Sequence, residues 1–198
     1  MIYIPHLQSG NIKSVTNAIS HMELGINFEL HKNPPDLTRN DLIILPGVGD
    51  IGNFINELKE LFWYESIIKH YKNNGKLIGI CVGFQSFFSK SEEDENVDCF
   101  DFFEGTVERM NKGRSPVIGF ANVNNEADDI GEFYFVHSYG VNAIKNSPKG
   151  SLRYHNMHGE YLAGVVTKNI CGFQFHPEKS GPAGLQYLKN IILGVIND

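Results

Sequence analysis

The stretch that decides the fold is Lys76-Leu77-Ile78-Gly79-Ile80-Cys81-Val82-Gly83-Phe84-Gln85. An apolar run ends in Gly79-Ile80-Cys81-Val82-Gly83, and residues 85–88 are interpreted as the beginning of a helix. Small residues two positions before and two after a nucleophile suit a sharp strand-to-helix turn, because side chains there would collide. The pattern predicts a thiol exposed above a sheet, with the helix N-terminus favouring its thiolate. The alternative is a structural cysteine in a core strand, since free cysteine is common in cores.

Length and composition limit the class of protein. The 198 residues predict one domain, 1–198, with a well-buried core. A net charge of −6 without a basic block argues against a nucleic-acid partner. No apolar run approaches the ~20 residues of a membrane span, and the N-terminus does not resemble a signal peptide. We therefore expect a cytoplasmic protein with no membrane contact.

The three cysteines are Cys81, Cys99 and Cys171. Their odd number and wide separation match neither a disulfide framework nor paired zinc spacing. The acidic run at 91–98 is interpreted as a solvated surface loop rather than a metal site. The sequence therefore implies no metal and no cofactor.

The first half alternates apolar strand patterns with helical ones. Strands are predicted at 2–5, 27–30, 41–45 and up to Cys81, with helices between them and a break near residues 62–63. This order predicts an α/β fold: an open, doubly wound, mostly parallel sheet flanked by helices.

The second half is richer in strands. Four segments between Gly, Asn and Pro turns predict antiparallel strands added to the sheet: 102–110, 117–123, 133–141 and 160–167. A last strand is predicted at 170–175, followed by a closing helix.

A nucleophilic cysteine needs a base, and the base needs an orienting group. His137 and His176 lie at predicted strand ends, whereas His70, like three other histidines, is interpreted as solvated. His176 is followed by Pro177 and Glu178, so that the carboxylate can accept a hydrogen bond from the imidazole. The weaker alternative is a surface His/Glu pair.

Negative charge that develops on an attacked carbonyl needs hydrogen-bond donors. The N–H of Val82 is one donor by geometry. Residues 46–49 (Pro46-Gly47-Val48-Gly49) follow another strand and could supply a second, because glycine lets the backbone approach a ligand closely. The alternative is a purely structural loop.

Residues 79–85 resemble the nucleophile turn of class I (triad-type) glutamine amidotransferases, and residues 172–178 resemble their His/Glu strand. Residues 9–15, 46–49, 133–139 and 176–181 resemble one branch, the glutaminase subunit of imidazole glycerol phosphate synthase. The resemblance covers nearly the whole chain in order. It implies glutamine as substrate, with Cys81, His176 and Glu178 as the catalytic triad.

The resemblance also implies roles for other residues. Val82, together with Val48 and Gly49 once their strand has turned an N–H inward, would form the oxyanion hole. The residues that would hold glutamine are Gly47, Gln85, Ser138 and Tyr139. The residues that would face a (β/α)8-barrel cyclase, which receives the ammonia in histidine biosynthesis, are Asn11, Phe120, Tyr134 and Lys179.

Two stretches depart from the family pattern. In the nucleophile turn, Val82 and Phe84 stand where leucine and methionine are commoner. The histidine-pathway enzymes usually carry Met-Gly-Trp-Asn where this chain has Ile118-Gly119-Phe120-Ala121. This departure does not change the residues expected to carry out the reaction. It changes the surface expected to contact the partner. A second hypothesis is therefore a paralogous glutaminase that serves a sugar amidotransferase in surface-polysaccharide synthesis. A third, a non-enzymatic scaffold of this fold, is disfavoured by the intact Cys81, His176 and Glu178.

Overall fold

The computed structural model describes residues 1–8, 11–110, 116–143, 147–156 and 159–197. Ser9 and Gly10, part of one of the family-like stretches, lie outside the described residues. Within the described ranges no helix combines the length and apolar character that a bilayer crossing needs.

Most of the described chain is in regular elements. The strands are β1 (Ile2–Pro5), β2 (Phe28–His31), β3 (Leu42–Gly47), β4 (Lys76–Cys81), β5 (Phe88–Ser91), β6 (Phe103–Arg109), β7 (Val117–Asn124), β8 (Asp129–His137), β9 (Tyr139–Val141), β10 (Ser151–Asn156), β11 (Gly159–Val166) and β12 (Ile170–Phe173). The helices are α1 (Ile12–His21), α2 (Ile51–Glu60), α3 (Trp63–Lys72), α4 (Val82–Gln85) and α5 (Gly181–Asn197), with a 3-10 turn at Pro177–Lys179.

Nine strands form one sheet in the order β2-β1-β3-β4-β12-β11-β10-β7-β8. The strands from β2 to β12 are parallel, and those from β12 onward to β8 pair antiparallel. The remaining strands, β5, β6 and β9, form a small second sheet. The predicted fold class is confirmed, with antiparallel strands contributed by the C-terminal half. The prediction that residues 102–110 join the large sheet is wrong, because β6 lies in the small sheet and is parallel to β5.

The core follows from the apolar patterns. Every residue of β3 and β4 is buried, as expected for central parallel strands covered on both faces. Helix α1 buries one stripe, formed by Ile12, Val15, Ala18 and Ile19. The predicted break near residue 62 is present, because Phe62 has a left-handed backbone (φ 61°) between α2 and α3.

The prediction of a helix through residue 88 is wrong. Helix α4 is a single turn that ends at Gln85, and Phe88 already begins β5. Phe87 and Phe88 are fully buried, and the rings of Phe84 and Phe88 meet edge to face with centroids 5.2 Å apart. Burial of these aromatic rings therefore outweighs the local helical pattern. Strand β10 lies outside the predicted strands; it pairs with β11 and β7 in the large sheet.

The parallel strands bring three segments to one edge of the sheet. Gly47 at the end of β3 pairs with Cys81 at the end of β4, and Phe173 at the end of β12 pairs with Ile80. His176 follows β12 by three residues. Carboxyl ends of parallel strands are where ligands bind in open α/β sheets, so this edge is where a site is expected.

Candidate active site

The turn that the glycine spacing predicts is present at Cys81. Its backbone has φ 55° and ψ −109°, a conformation that non-glycine residues rarely adopt and that marks strained functional turns. A Cβ added at Gly83 would lie 2.0 Å from the Leu45 carbonyl oxygen, and one at Gly79 would lie 2.6 Å from the Gly83 oxygen. Both positions therefore require glycine if the strand is to turn directly into α4.

His176 and Glu178 form a buried pair beside Cys81. The side chains are 1% and 0% exposed, and His176 Nδ1 donates to Glu178 Oε1 over 2.7 Å. The same oxygen accepts from Asn11 Nδ2 at 3.3 Å. Burial lowers the pKa of His176, but Cys81 and Glu178 outweigh it and raise that pKa to about 9. The imidazole is thus held in one orientation by a carboxylate and poised to carry a proton.

The other two cysteines differ from Cys81 in their surroundings. All three cysteines are free and buried, and Cys81 is only 4% exposed, so the expectation of an exposed thiol at Cys81 is wrong. Unlike Cys81, Cys99 and Cys171 do not lie in the strand-to-helix turn. Burial raises the pKa of Cys99 to about 11 and that of Cys171 to about 12, so both stay protonated near neutral pH. Of the three thiols, Cys81 is the one that stands at the turn and lines the cavity among the described residues.

The sequence predicted the surroundings of the histidines only in part. The interpretation of His70 as solvated is wrong, because the ring is buried. Its Nε2 lies 3.0 Å from the backbone nitrogen of Lys76 and 3.1 Å from the backbone oxygen of Asp41. His70 therefore ties the end of α3 to the start of β3 and β4. His137 is buried against the candidate site, and burial lowers its pKa to about 4.

A cavity of about 500 Å³ opens over Cys81. Its described lining residues are Asn11, Val48, Gly49, Cys81, Val82, Gln85, Glu93, Pro116, Val136, His137, Ser138, Tyr139, His176 and Lys179. The cavity brings together most of the residues singled out from the sequence. Gly47 is not in that set; it packs behind the turn, where an added Cβ would lie 2.7 Å from the Gly83 nitrogen.

Glu93 is a site residue that the sequence analysis missed. The acidic run was interpreted as wholly solvated, but Glu93 lines the cavity and its Oε2 accepts from the Ile51 nitrogen at 2.9 Å. Burial raises its pKa, against the effect of this hydrogen bond. A run of charged residues carries no periodic signal for which carboxylate folds inward, so only the tertiary structure identifies Glu93.

Two of the four residues assigned to a partner contact lie in the site itself. Asn11 and Lys179 line the cavity, and Asn11 bonds to Glu178. Phe120 and Tyr134 lie opposite each other on β7 and β8, with ring centroids 5.5 Å apart.

An apolar face borders the cavity. Ile118 and Phe120 are 62% and 55% exposed, and their partners across the strands are Val136 and Tyr134. Because side chains two residues apart point to the same side of a strand, the four share one surface. We call Ile118, Phe120, Tyr134 and Val136 the apolar face; Val136 also lines the cavity and so connects the two.

The backbone of β8 is tied to His176. The Tyr134 oxygen accepts from the His176 nitrogen at 2.9 Å, and the Tyr134 nitrogen donates to Ser180 Oγ at 2.9 Å. Ser180 Oγ in turn donates to the His176 oxygen at 2.7 Å. The strand that carries half of the apolar face is therefore hydrogen-bonded on both sides of Tyr134 to the segment that holds the imidazole.

Comparison with known proteins agrees with this geometry. The sequence pattern described as "Glutamine amidotransferase class-I" matches residues 8–195. The chain is 34% identical over 200 residues to the imidazole glycerol phosphate synthase subunit HisH of Carboxydothermus hydrogenoformans, covering 96% of this chain and 98% of the relative. It is 36% identical over 196 residues to the HisH subunit of Methanosarcina mazei, covering 92% and 93%.

Solved structures share the fold at low identity. A crystal structure of a glutamine amidotransferase superposes with a TM-score of 0.72 at 18% identity, covering 98% of this chain and 99% of that one. The structure of PurLQS from Thermotoga maritima superposes with a TM-score of 0.69 at 18% identity, covering 99% and 97%. The family match and the full-length relatives lead to one conclusion: the chain belongs to the class-I glutamine amidotransferases.

Proposed function

We propose that this protein is the glutaminase subunit of an imidazole glycerol phosphate synthase, which hydrolyses glutamine and passes ammonia to a cyclase partner. The observation that carries the proposal is identity of 34–36% with HisH subunits over nearly the whole of both chains. The buried Cys81–His176–Glu178 arrangement supports the chemistry. The partner would be a (β/α)8-barrel subunit.

In the proposed reaction, the Cys81 thiolate attacks the side-chain amide carbon of glutamine. The carbonyl oxygen becomes an oxyanion, and His176 Nε2 gives its proton to the departing nitrogen, so that ammonia leaves and a thioester remains. His176 then removes a proton from water, which attacks the thioester and releases glutamate. Glu178 holds the imidazole through Nδ1 in both steps.

The oxyanion would be stabilised by backbone N–H groups. Val82, Val48 and Gly49 line the cavity beside Cys81, and Gly49 has φ 97°, which only glycine adopts readily. We propose Val82 as the fixed donor and the Val48–Gly49 segment as the donor that a partner brings into position. Loss of one such donor typically lowers the rate ~100- to 1,000-fold, so the isolated subunit should be slow.

The cavity supplies a charge for the substrate's amino acid end. Glu93 is the sole carboxylate among the described residues that line the cavity, so we propose that it accepts from the α-ammonium of glutamine. Gln85, Ser138 and Tyr139 lie in the same lining and would hold the rest of the substrate. Gly47 would act indirectly, through the close packing of the turn.

The apolar face is proposed as the partner contact. A partner seated on it would cover the cavity mouth at Val136, so that ammonia leaves toward the acceptor instead of into water. Lys179 and Asn11 would then lie between the two active sites.

The departure at Phe120 and Ala121 favours a second candidate, a glutaminase for a sugar amidotransferase in surface-polysaccharide synthesis. Phenylalanine keeps an apolar anchor but lacks the indole donor of tryptophan, and alanine lacks the amide of asparagine. Such losses would weaken a contact with the histidine-pathway cyclase and be harmless against a different partner.

The test is glutamate release from the chain mixed with each candidate partner and its acceptor substrate. We expect the cyclase to stimulate hydrolysis, and the Cys81→Ser variant to lose glutamine-dependent activity while ammonium salts still support the partner reaction. Stimulation only by a sugar amidotransferase would refute the histidine-pathway assignment and leave the triad chemistry standing. Undiminished glutaminase activity in Cys81→Ser would refute the chemistry.

A further inference from the structure

We propose that the side-chain amide of Gln174 donates a hydrogen bond to the Cys81 sulfur and stabilises its thiolate. Gln174 lies between β12 and His176 and is 1% exposed. Its Nε2 is 3.7 Å from Cys81 Sγ, a normal distance for an N–H bond to sulfur. The inference rests on the proposed role of Cys81 as nucleophile, and it assigns a new role to a residue two positions before His176.

The neighbouring hydrogen bonds determine which end of the Gln174 amide faces the sulfur. The Tyr139 carbonyl can only accept, so the Gln85 atom 2.8 Å away from it must be the amide nitrogen. That same nitrogen lies 3.0 Å from one amide atom of Gln174, which must therefore be the oxygen. The NH2 group of Gln174 is left to face Cys81.

The network behind Gln85 is anchored in the core. The Tyr139 oxygen also accepts from His137 Nδ1 at 2.7 Å, and His137 Nε2 lies 3.0 Å from the Tyr154 hydroxyl. Burial raises the pKa of Tyr154 and lowers that of His137, so the hydroxyl keeps its proton and the imidazole is neutral. The neutral ring uses its one N–H toward Tyr139 and its one acceptor toward Tyr154, which leaves it no alternative partner.

A donor of this kind has a chemical reason to be there. An N–H group that points at sulfur favours the charged form over the neutral thiol. Helix α4 is a single turn, so it contributes less to the thiolate than the longer helix expected from the sequence. Gln174 is uncharged and does not compete with His176 for protons. Because the thiolate is the attacking group first and the leaving group in thioester hydrolysis, the same donor would assist both steps.

The test is the rate of Cys81 alkylation by iodoacetamide against pH, measured on the complete chain by mass spectrometry of the labelled peptide. Gln174→Met keeps the length of the side chain but removes its donor. In this variant we expect the pH of half-maximal alkylation to rise by ~1 unit, which corresponds to tenfold less thiolate below the midpoint. The titratable groups that line the cavity over the thiol are Glu93, His137, Tyr139, His176 and Lys179, and Glu178 is bonded to His176; the substitution leaves all of them in place.

Gln186→Met is the matched control, because Gln186 is exposed on α5 and its side-chain Nε2 donates to Asn190 of the same helix. Its alkylation profile should match that of the wild type. A Gln174→Met profile superimposable on the wild type would overturn the proposal. Alkylation needs no glutaminase activity. A shifted profile in Gln174→Met, together with a wild-type chain that fails to hydrolyse glutamine with either candidate partner present, would refute the proposed function and leave this inference intact.

A second measurement needs no substitution at Gln174 and covers the case in which Gln174→Met does not fold. In 15N-labelled wild-type protein, the Gln174 side-chain NH2 protons should shift downfield as the pH crosses the alkylation midpoint. The shift should be abolished when Cys81 is replaced by alanine. Gln174 resonances that do not respond to ionisation of Cys81 would likewise overturn the proposal.

Discussion

Replacing Gly83 by alanine should disrupt the nucleophile turn. The added Cβ would lie 2.0 Å from the Leu45 carbonyl oxygen and 2.9 Å from the Leu45 carbonyl carbon, both buried backbone atoms of β3. Contacts under 3.0 Å are essentially never observed, so β3 and the turn must separate by about 1 Å. Overpacking of this kind costs ~3 kcal/mol of unfolding free energy. A displacement of ~1 Å at reacting atoms also lowers the rate about 100-fold.

The assay compares urea unfolding and the alkylation rate of Cys81 in Gly83→Ala and in a matched control. Gly194→Ala is the same substitution on the exposed side of α5, where an added Cβ meets nothing within 4 Å. The free energy of unfolding of this control should rise by ~0.5–1 kcal/mol, because alanine loses less backbone entropy than glycine when a helix forms. Opposite signs are thus expected for one chemical change. Wild-type stability and wild-type alkylation in Gly83→Ala would refute the close-contact reasoning.

Three further predictions concern the site and the apolar face. Burial lowers the pKa of His176, but Cys81 and Glu178 outweigh this effect and raise the pKa to about 9. The protonated imidazole therefore adds to the free energy of unfolding. This contribution is complete below about pH 6.5, the pKa of histidine in the unfolded chain, and is lost as the pH rises through 9. Urea melts should therefore show the wild type losing stability relative to His176→Gln across that window, and a constant difference would contradict this. Asn11→Ala, which removes the donor to Glu178, should lower kcat about fivefold with little change in KM, from a bond worth ~1 kcal/mol. Ile118→Ser and Phe120→Ser should change unfolding free energy by less than ~0.5 kcal/mol, since both side chains are exposed, while weakening stimulation by the partner.

The parts of the fold that the sequence revealed depend on local patterns. Apolar runs such as β3 and β4, the amphipathic α1 and the glycines around Cys81 each act within a few residues. Their physical cause, burial on both faces or a steric clash in a tight turn, is therefore visible in a short window. The predicted break near residue 62 is also local, because it depends on the left-handed backbone of Phe62.

The errors arise where distant residues decide the structure. Phe87 and Phe88 fit a helical pattern, but the buried positions they occupy against residues 100–103 place Phe88 in a strand. His70 occupies a polar position on a helix that the sequence places at the surface, but in the structure the starts of β3 and β4 cover it. Glu93 is one carboxylate among several in its run, and only its contact with the start of α2 brings it into the cavity.

The hydrogen bonds between β8 and the His176 segment explain how the partner-binding surface could change without a change in the residues proposed for catalysis. They are made by the backbone of Tyr134 and the hydroxyl of Ser180, with no side chain of the apolar face taking part. Substitutions at the neighbouring Phe120 or Ala121 can therefore alter what docks on this face without removing a bond to the imidazole segment. Docking itself acts on the same strand, so a partner that shifts β8 also shifts the backbone on which His176 is held. A departure from the family pattern on β7 is then compatible with retention of Cys81, His176 and Glu178, the residues proposed as the triad, and this sequence has both features.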